Sequence, residues 1–279
     1  MPSTVDLYCV MGHPIEHSRS PWIHTRFAAL TQQSLHYTRA LVALDGFAAA
    51  VQAFAAAGGR GCNVTVPFKL EAAQLAHSCS ERVQLAGAAN PLVLADGRIH
   101  ADNTDGLGLV ADIRDNAGQA IAGRDVLLIG AGGAAAGALG SLLAEKPRRI
   151  VIVNRTAEKA QALAERHAAL AARHGVALQA QGLEIAQDFD LVINASASSL
   201  GGAHVPVPAS VLRPGCLAYD MMYGPAAQGF LDWAAQHGAL GRDGLGMLVE
   251  QAAEAFALWR GVRPAGAPVL AELRALLEA

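Results

Sequence analysis

Short apolar runs alternate with stretches of helical period along most of the chain. In the first third, the run at 7–10 predicts a strand, 21–30 a helix opened by Pro21, 37–42 a strand, and 47–57 a helix closed by Gly58-Gly59. Asn63-Val64-Thr65-Val66 predicts a further strand, with Pro67 opening the next helix. Strands that alternate with helices imply a largely parallel sheet with helical crossovers. A helix over 105–116 leads out of this unit. A second strand series then starts at 125–129 and continues at 149–153, 176–180, 191–194 and 216–219, with helices between. That is a doubly wound nucleotide-binding pattern. Two helices, 245–260 and 268–277, close the chain. The fold class is therefore α/β with two domains, the second of Rossmann type.

Length and composition support this reading and remove others. A chain of 279 residues has room for about two domains. The net charge is −3 and no basic block stands out, which argues against a nucleic-acid partner. Cys9, Cys62, Cys79 and Cys216 are scattered without a CxxC pair, so neither a disulfide framework nor a zinc site is expected, and a reducing cytosol fits. The start, Met1-Pro2-Ser3-Thr4-Val5-Asp6, lacks the basic region and apolar run of a signal peptide. Residues 126–144 carry no charge, are about long enough to span a bilayer, and contain Gly133-xxx-Gly137, a spacing used by membrane helix pairs. Five glycines fall inside them, however, so strand, turn and buried helix explain the stretch better than a membrane span.

The same stretch is the candidate cofactor site. Val126-Leu127-Leu128-Ile129 is continuously apolar, as suits a strand buried on both faces, and Gly130-Ala131-Gly132-Gly133-Ala134 follows at once before a helix. Such glycines allow a tight turn and close approach to a pyrophosphate, which the helix N-terminus attracts. A Gly turn needed only for packing is the plainer alternative. The tip of the next strand distinguishes cofactors. NAD enzymes usually place an acid there to hold the ribose hydroxyls. Here Asn154, Arg155, Thr156 and Lys159 offer donors and two positive charges, which suit the 2′-phosphate of NADP. A solvated basic turn with a Thr cap is the competing reading.

Three further segments carry candidate substrate chemistry. Ser18 and Ser20 lie one residue apart just before Pro21, and their hydroxyls with nearby N–H groups suit a carboxylate; a plain helix cap is the alternative for Ser20. His13 and His17 are separated by Pro14 and lack further ligands, so a metal pair is not expected. In Asn63-Val64-Thr65-Val66-Pro67-Phe68-Lys69, the lysine falls in a first helical turn, where the helix dipole opposes its charge and suits a proton donor; an ordinary solvated lysine is the alternative. Asp102-Asn103-Thr104-Asp105-Gly106 precedes the connecting helix, and Asp105 could be a simple N-cap. A calcium loop is excluded, because its first ligand would be Ala101.

Together these segments resemble the shikimate dehydrogenase family. The likeness extends through Ala86-Gly87-Ala88-Ala89-Asn90, Asn154-Arg155-Thr156, Tyr219-Asp220-Met221 and Asp243-Gly244-Leu245-Gly246-Met247-Leu248. It implies a small-molecule substrate, 3-dehydroshikimate or shikimate, with NADP as cofactor, no metal, no membrane, a cytoplasmic setting, and a monomer or homodimer. By the same resemblance Ser18 and Ser20, with Tyr223, bind the substrate carboxylate. Thr65, Asn90, Asp105 and Gln251 hold the ring hydroxyls, Lys69 and Asp105 form the catalytic pair, and Met221 and Gly244 lie near the nicotinamide. The resemblance also implies a substrate domain of residues 1–105 completed by 245–279, and an NADP-binding domain of 106–244. Helical spacing agrees, since Gln251 shares a face with Met247, Leu248 and Ala255. The chain departs from the family at Asn90-Pro91, where Asn-Thr is frequent, at Ala135-Ala136, where a polar Ser-Arg pair is frequent, and at Ser196, where Thr is common. A quinate/shikimate dehydrogenase and a non-catalytic NADP-binding sensor are the competing functions.

Overall fold

Alternation along the first strand sets the layers. In β1 (Asp6–Gly12) Tyr8 and Val10 join one apolar cluster and Cys9 and Met11 another, so the two faces of the strand serve two cores. A computed structural model describes residues 5–196 and 205–278. After β1 come α1 (Ser20–Leu30), β2 (Leu35–Leu41), α2 (Phe47–Ala56), β3 (Gly59–Val64), α3 (Lys69–Leu75), β4 (Ser78–Cys79), α4 (Glu81–Ala86), β5 (Pro91–Ala95) and β6 (Arg98–Ala101). They form one sheet in the order β2-β1-β3-β5-β6-β4.

This sheet is mixed rather than largely parallel. β2, β1 and β3 run parallel, but β5 is antiparallel to both β3 and β6. β5 and β6 are joined by a two-residue hairpin turn at Asp96-Gly97, with φ of 50° and 71°, the left-handed pair that matches the twist of adjoining strands. The helix expected from Pro67 starts later, at Lys69. Phe68 N–H bonds Thr65 O at 3.0 Å, so a turn separates the strand, which ends at Val64, from the helix.

The exit helix also differs. α5 (Asp105–Ala111) gives way to one π turn over Asp112–Asn116. There Asp112, fully buried, accepts hydrogen bonds from Tyr219 Oη and Arg242 Nε, both at 2.8 Å, and from Asn116 Nδ2 at 3.0 Å. Beyond it lie β7 (Asp125–Ile129), α6 (Gly133–Ala144), β8 (Arg149–Val153), α7 (Ala157–His174), β9 (Ala177–Gln181), β10 (Phe189–Asn194), β11 (Leu212–Asp220), α8 (Gln228–Gln236) and β12 (Leu240–Arg242). The second sheet is all parallel in the order β12-β11-β10-β7-β8-β9, the doubly wound arrangement. Every residue of β7 is buried; each such Val, Leu or Ile contributes about 1.5–3 kcal/mol relative to exposure. Among the described residues no helix is long and apolar enough to cross a membrane, and 126–144 resolves into β7, a turn and α6.

The chain ends in α9 (Leu245–Arg260) and α10 (Gly266–Glu278). It divides into two units. One runs to Gly108 and resumes at Val249, and the other spans Leu109–Leu248, so the chain passes from unit to unit within α5 and again within α9.

Candidate active site

In the first unit, the loops after β1 and β3 leave neighbouring parallel strands in the same direction. His13 N–H bonds Val66 O at 3.0 Å and joins the two loops. Gly12 is required there, because a Cβ would come within 2.5 Å of Thr65 Cγ2. Lys69 is the first residue of α3, and its Nζ donates to Asp105 Oδ2 at 2.5 Å. Asp105 is 8 % exposed, while the Lys69 side chain keeps 29 % of its surface open, so the ammonium is paired yet reachable.

Asn90 ties this pair to the rest of the unit. Its Nδ2 lies 3.1 Å from Asp105 Oδ1, 3.0 Å from Thr104 Oγ1 and 2.9 Å from Gln251 Oε1, three acceptors for two hydrogens. Its Oδ1 accepts from Thr104 N–H at 2.8 Å. Thr104 Oγ1 donates to the Gln251 carbonyl at 3.0 Å, which brings α9 to the site. The Asp105 carboxylate thus serves Lys69 and Asn90 instead of capping its helix. Asp105 N–H is taken by Asn103 Oδ1 at 3.1 Å. Pro91 fits its place as the first residue of β5, where the missing N–H is not needed.

Sequence reasoning did not single out the support beneath this loop. Asp102 Oδ1 accepts from Ser80 Oγ at 2.5 Å and from Asn103 N–H at 2.6 Å, and its Oδ2 accepts from Arg82 Nη2 at 2.6 Å. Asp102 and Asn103 stand in the Asp-rich segment, but Ser80 and Arg82 belong to no motif. Ser18 Oγ accepts from Ser20 N–H at 3.3 Å, and Arg39 Nη2 holds Ser18 O at 2.6 Å. Ser20 makes no side-chain cap on α1. A cavity of about 810 Å³ in the same unit, at the start of β3 and away from Thr65, contains none of the predicted site residues.

In the second unit, Gly130 adopts φ +108°, and a Cβ there would meet Ala195 O at 3.0 Å, so both conformation and space demand glycine. Gly132 and Gly133 differ: a Cβ on either meets nothing within 4 Å, and with Ala134 they are exposed at the start of α6. The open space beside orphan N–H groups is a cradle that fits a pyrophosphate. Ala135 and Ala136 are buried and add no polar group. At the tip of β8, Asn154 Nδ2 holds Thr156 O at 2.9 Å, which shapes the turn. Thr156 occupies the N-cap of α7 without a side-chain cap bond. Arg155 and Lys159 are exposed beside this turn. Ser196, despite replacing Thr, still donates its hydroxyl to Asn194 Oδ1 at 2.7 Å. Met221 and Gly244 meet backbone to backbone, since a Cβ on Gly244 would lie 2.3 Å from Met221 O. Tyr223, half-buried, precedes the short turn Gly224–Ala226 in this unit.

Comparison with known proteins supplies the family. The model of the shikimate dehydrogenase substrate binding domain matches residues 10–92, that of shikimate / quinate 5-dehydrogenase residues 112–201, and that of the shikimate 5′-dehydrogenase C-terminal domain residues 244–274. The chain is 72% identical to the shikimate dehydrogenase (NADP(+)) of Acidovorax ebreus (strain TPSY) over 280 residues, covering 100% of this chain and 99% of that one. Among solved structures, an Ael1 enzyme from Pseudomonas putida is 46% identical with a TM-score of 0.88, covering 96% of this chain and 98% of that one. The shikimate 5-dehydrogenase of Thermus thermophilus, in complex with NADP(H) and shikimate, is 29% identical with a TM-score of 0.84, covering 96% and 98%. The chain belongs to the shikimate dehydrogenase family.

Proposed function

We propose that this chain catalyses the reversible NADPH-dependent reduction of 3-dehydroshikimate to shikimate, in the cytoplasmic route to chorismate and the aromatic amino acids. The unit containing Ser18, Thr65 and Lys69 takes the substrate, and the doubly wound unit takes the cofactor. The observation that carries the reading is the Lys69–Asp105 pair at 2.5 Å, held by Asn90 and Gln251.

NADPH, when bound, supplies the hydride. Lys69 Nζ donates a proton to the ketone oxygen as it becomes an alkoxide, and its positive charge stabilises that oxygen before transfer. Asp105 Oδ2 holds Nζ in line, and the carboxylate accepts from the hydroxyl being formed. In the reverse direction neutral Lys69 takes the proton back. Asn90, Thr65 and Gln251 present amide and hydroxyl groups to the ring hydroxyls, while Ser18 and Ser20, with Tyr223, hold the carboxylate. For the cofactor, Gly130 to Ala134 receive the pyrophosphate. Asn154, Arg155, Thr156 and Lys159 receive the 2′-phosphate, and Met221 and Gly244 flank the nicotinamide.

A non-catalytic NADP sensor needs no carboxylate–ammonium pair of this kind, and this argues for turnover. Purified protein mixed with shikimate or quinate and with NADP or NAD, followed by absorbance of the reduced cofactor, tests the proposal. Shikimate with NADP is expected to be fastest. Faster oxidation of quinate would replace the reading with a quinate enzyme, and no turnover in any combination would leave the sensor.

A further inference from the structure

Asn194 and Asp220 end β10 and β11, and the register of the two parallel strands sets them opposite each other. Both are buried, Asp220 fully. Asn194 Nδ2 donates to Asp220 Oδ2 at 3.1 Å, and Asp220 Oδ1 accepts the Met222 N–H at 2.9 Å. At the other end of the amide, Asn194 Oδ1 accepts twice from Ser196, from its N–H at 3.2 Å and from Oγ at 2.7 Å. Backbone bonds complete the frame. Met221 N–H reaches Asn194 O at 3.0 Å, and Gly244 N–H reaches Met222 O at 2.8 Å. The Met221–Met222 turn is thereby pinned to the Asn194–Asp220 pair on one side and to Gly244 on the other.

Burying a carboxylate is costly, so its place here needs a reason. Two donors meet it: a backbone N–H, which cannot turn, and the Asn194 amide, which can. Turning that amide over would aim its hydrogens at the Ser196 N–H, donor against donor, so its orientation is fixed as well. Position 220 therefore needs an acceptor at both ends, which a carboxylate supplies and an amide does not. What it holds is the turn that meets Gly244 backbone to backbone. On the far side of the pair, Ser196 N lies 3.1 Å from where a Cβ on Gly130 would stand, so the same frame abuts the glycine turn. All these residues belong to the second unit.

We propose that Asp220 and Asn194 are positioning residues for the nicotinamide: they set the Met221–Met222 turn against Gly244 and so fix the surface on which the ring rests. The inference rests on the reading of Met221 and Gly244 as the neighbours of that ring. The pair acts through the backbone of the turn and takes no part in proton transfer.

Three chains test it: wild type, Asp220→Asn, and Asp220→Asn combined with Asn194→Asp. In the single variant an amide with one acceptor end faces two donors. In the combined chain the bond between the strand ends returns with its direction reversed, and the carboxylate at 194 still accepts from Ser196. Asp220→Asn is expected to lower kcat for shikimate oxidation about 10- to 100-fold, the scale of a misplacement of about 1 Å. The fluorescence of bound NADPH should move towards that of the free cofactor. Affinity for adenosine 2′,5′-bisphosphate, which lacks the nicotinamide, should stay within about 2-fold of wild type. The combined chain should recover most of the lost kcat and the wild-type emission. Bisphosphate affinity that falls in step with kcat would mark the pair as general scaffolding and overturn the inference. Unchanged kcat and emission in Asp220→Asn would overturn it too, as would a combined chain no better than the single one. If Asp220→Asn does not fold, Asn194→Ser, which removes the amide and keeps Asp220, carries the same expectations. Wild-type turnover of shikimate with an unaffected variant sinks this inference alone. A wild-type chain that turns over no shikimate sinks the proposed function and the inference together.

Discussion

Around Asn90 each side chain is fixed by another side chain, whereas around Gly132 the chain presents backbone and open space. Lys69, Asp105, Asn90, Thr104 and Gln251 form one connected set of hydrogen bonds at 2.5 to 3.1 Å. The glycine turn has no such set, and its working surface is the N–H groups at the start of α6 beside an open cradle. The difference decides what mutation can reach. In the first region, removing one side chain leaves a buried partner unsatisfied, a cost of about 1–3 kcal/mol before any lost chemistry. In the second, backbone donors survive any substitution except proline, so added bulk or altered charge at the rim is the main way to change binding.

The largest expected effect tests the first half of that contrast. Lys69→Ala removes the proton donor and strands Asp105. We expect kcat to fall by about 10²–10⁴, with a smaller change in the KM for shikimate. Steady-state kinetics of the purified variant would show it. A kcat near that of wild type would take Lys69 out of the mechanism and reduce the connected set to scaffolding.

The next effect sharpens the second half. Arg155 is the exposed charge at the rim, so Arg155→Ala should leave NAD use nearly unchanged and lower kcat/KM for NADP. A loss of about 1.5–3 kcal/mol, roughly 10- to 150-fold in the ratio of the two cofactors, is the scale of one hydrogen bond to a charge. If the ratio measured with both cofactors is unchanged, Arg155 is only a solvated surface residue.

The two regions are also unequally legible. In the second unit β7 and β8 stand out as apolar runs, because strands buried on both faces have few polar positions to blur them. β12 does not: Leu240-Gly241-Arg242 is three residues long and has no apolar run at all. In the first unit, the β5–β6 hairpin escapes notice because its strands are short and Pro91 reads as a breaker, although Asp96-Gly97 is a hairpin signal. Residues 105–116 read as one helix, with nothing in the sequence to mark Asp112. Asp112 is instead fully buried, with partners at Tyr219 and Arg242, more than a hundred residues on. His24, Tyr37 and Asn63 fail for the same reason. Each finds its partners only when α1, β2 and β3 set them side by side.

One property of that last group has no counterpart in the glycine turn: it contains a titratable ring that must stay uncharged. His24 is fully buried, and burial alone pushes its pKa from 6.5 to about 3. In the unfolded chain it protonates near its ordinary value, so between those two limits the unfolded state binds more protons. Stability is therefore complete above about 6.5 and falls as the pH drops towards 3, by about 1.4 kcal/mol per pH unit. The expected loss from this residue is about 2 kcal/mol at pH 5 and below about 1 kcal/mol at pH 6. Urea denaturation of wild type and His24→Phe at pH 7, 6 and 5 measures it. The variant keeps an aromatic ring against Tyr37 and Phe256 but has no proton to gain. Its stability should be lower at pH 7, through the lost hydrogen-bond partner of Asn63, 3.1 Å from His24 Nε2, and should fall less steeply with acid. His167, whose pKa burial also lowers, acts equally in both chains and cancels in the difference. Parallel slopes would mean that His24 carries no such penalty, and that a neutral ring is not what holds this corner of the substrate unit in place.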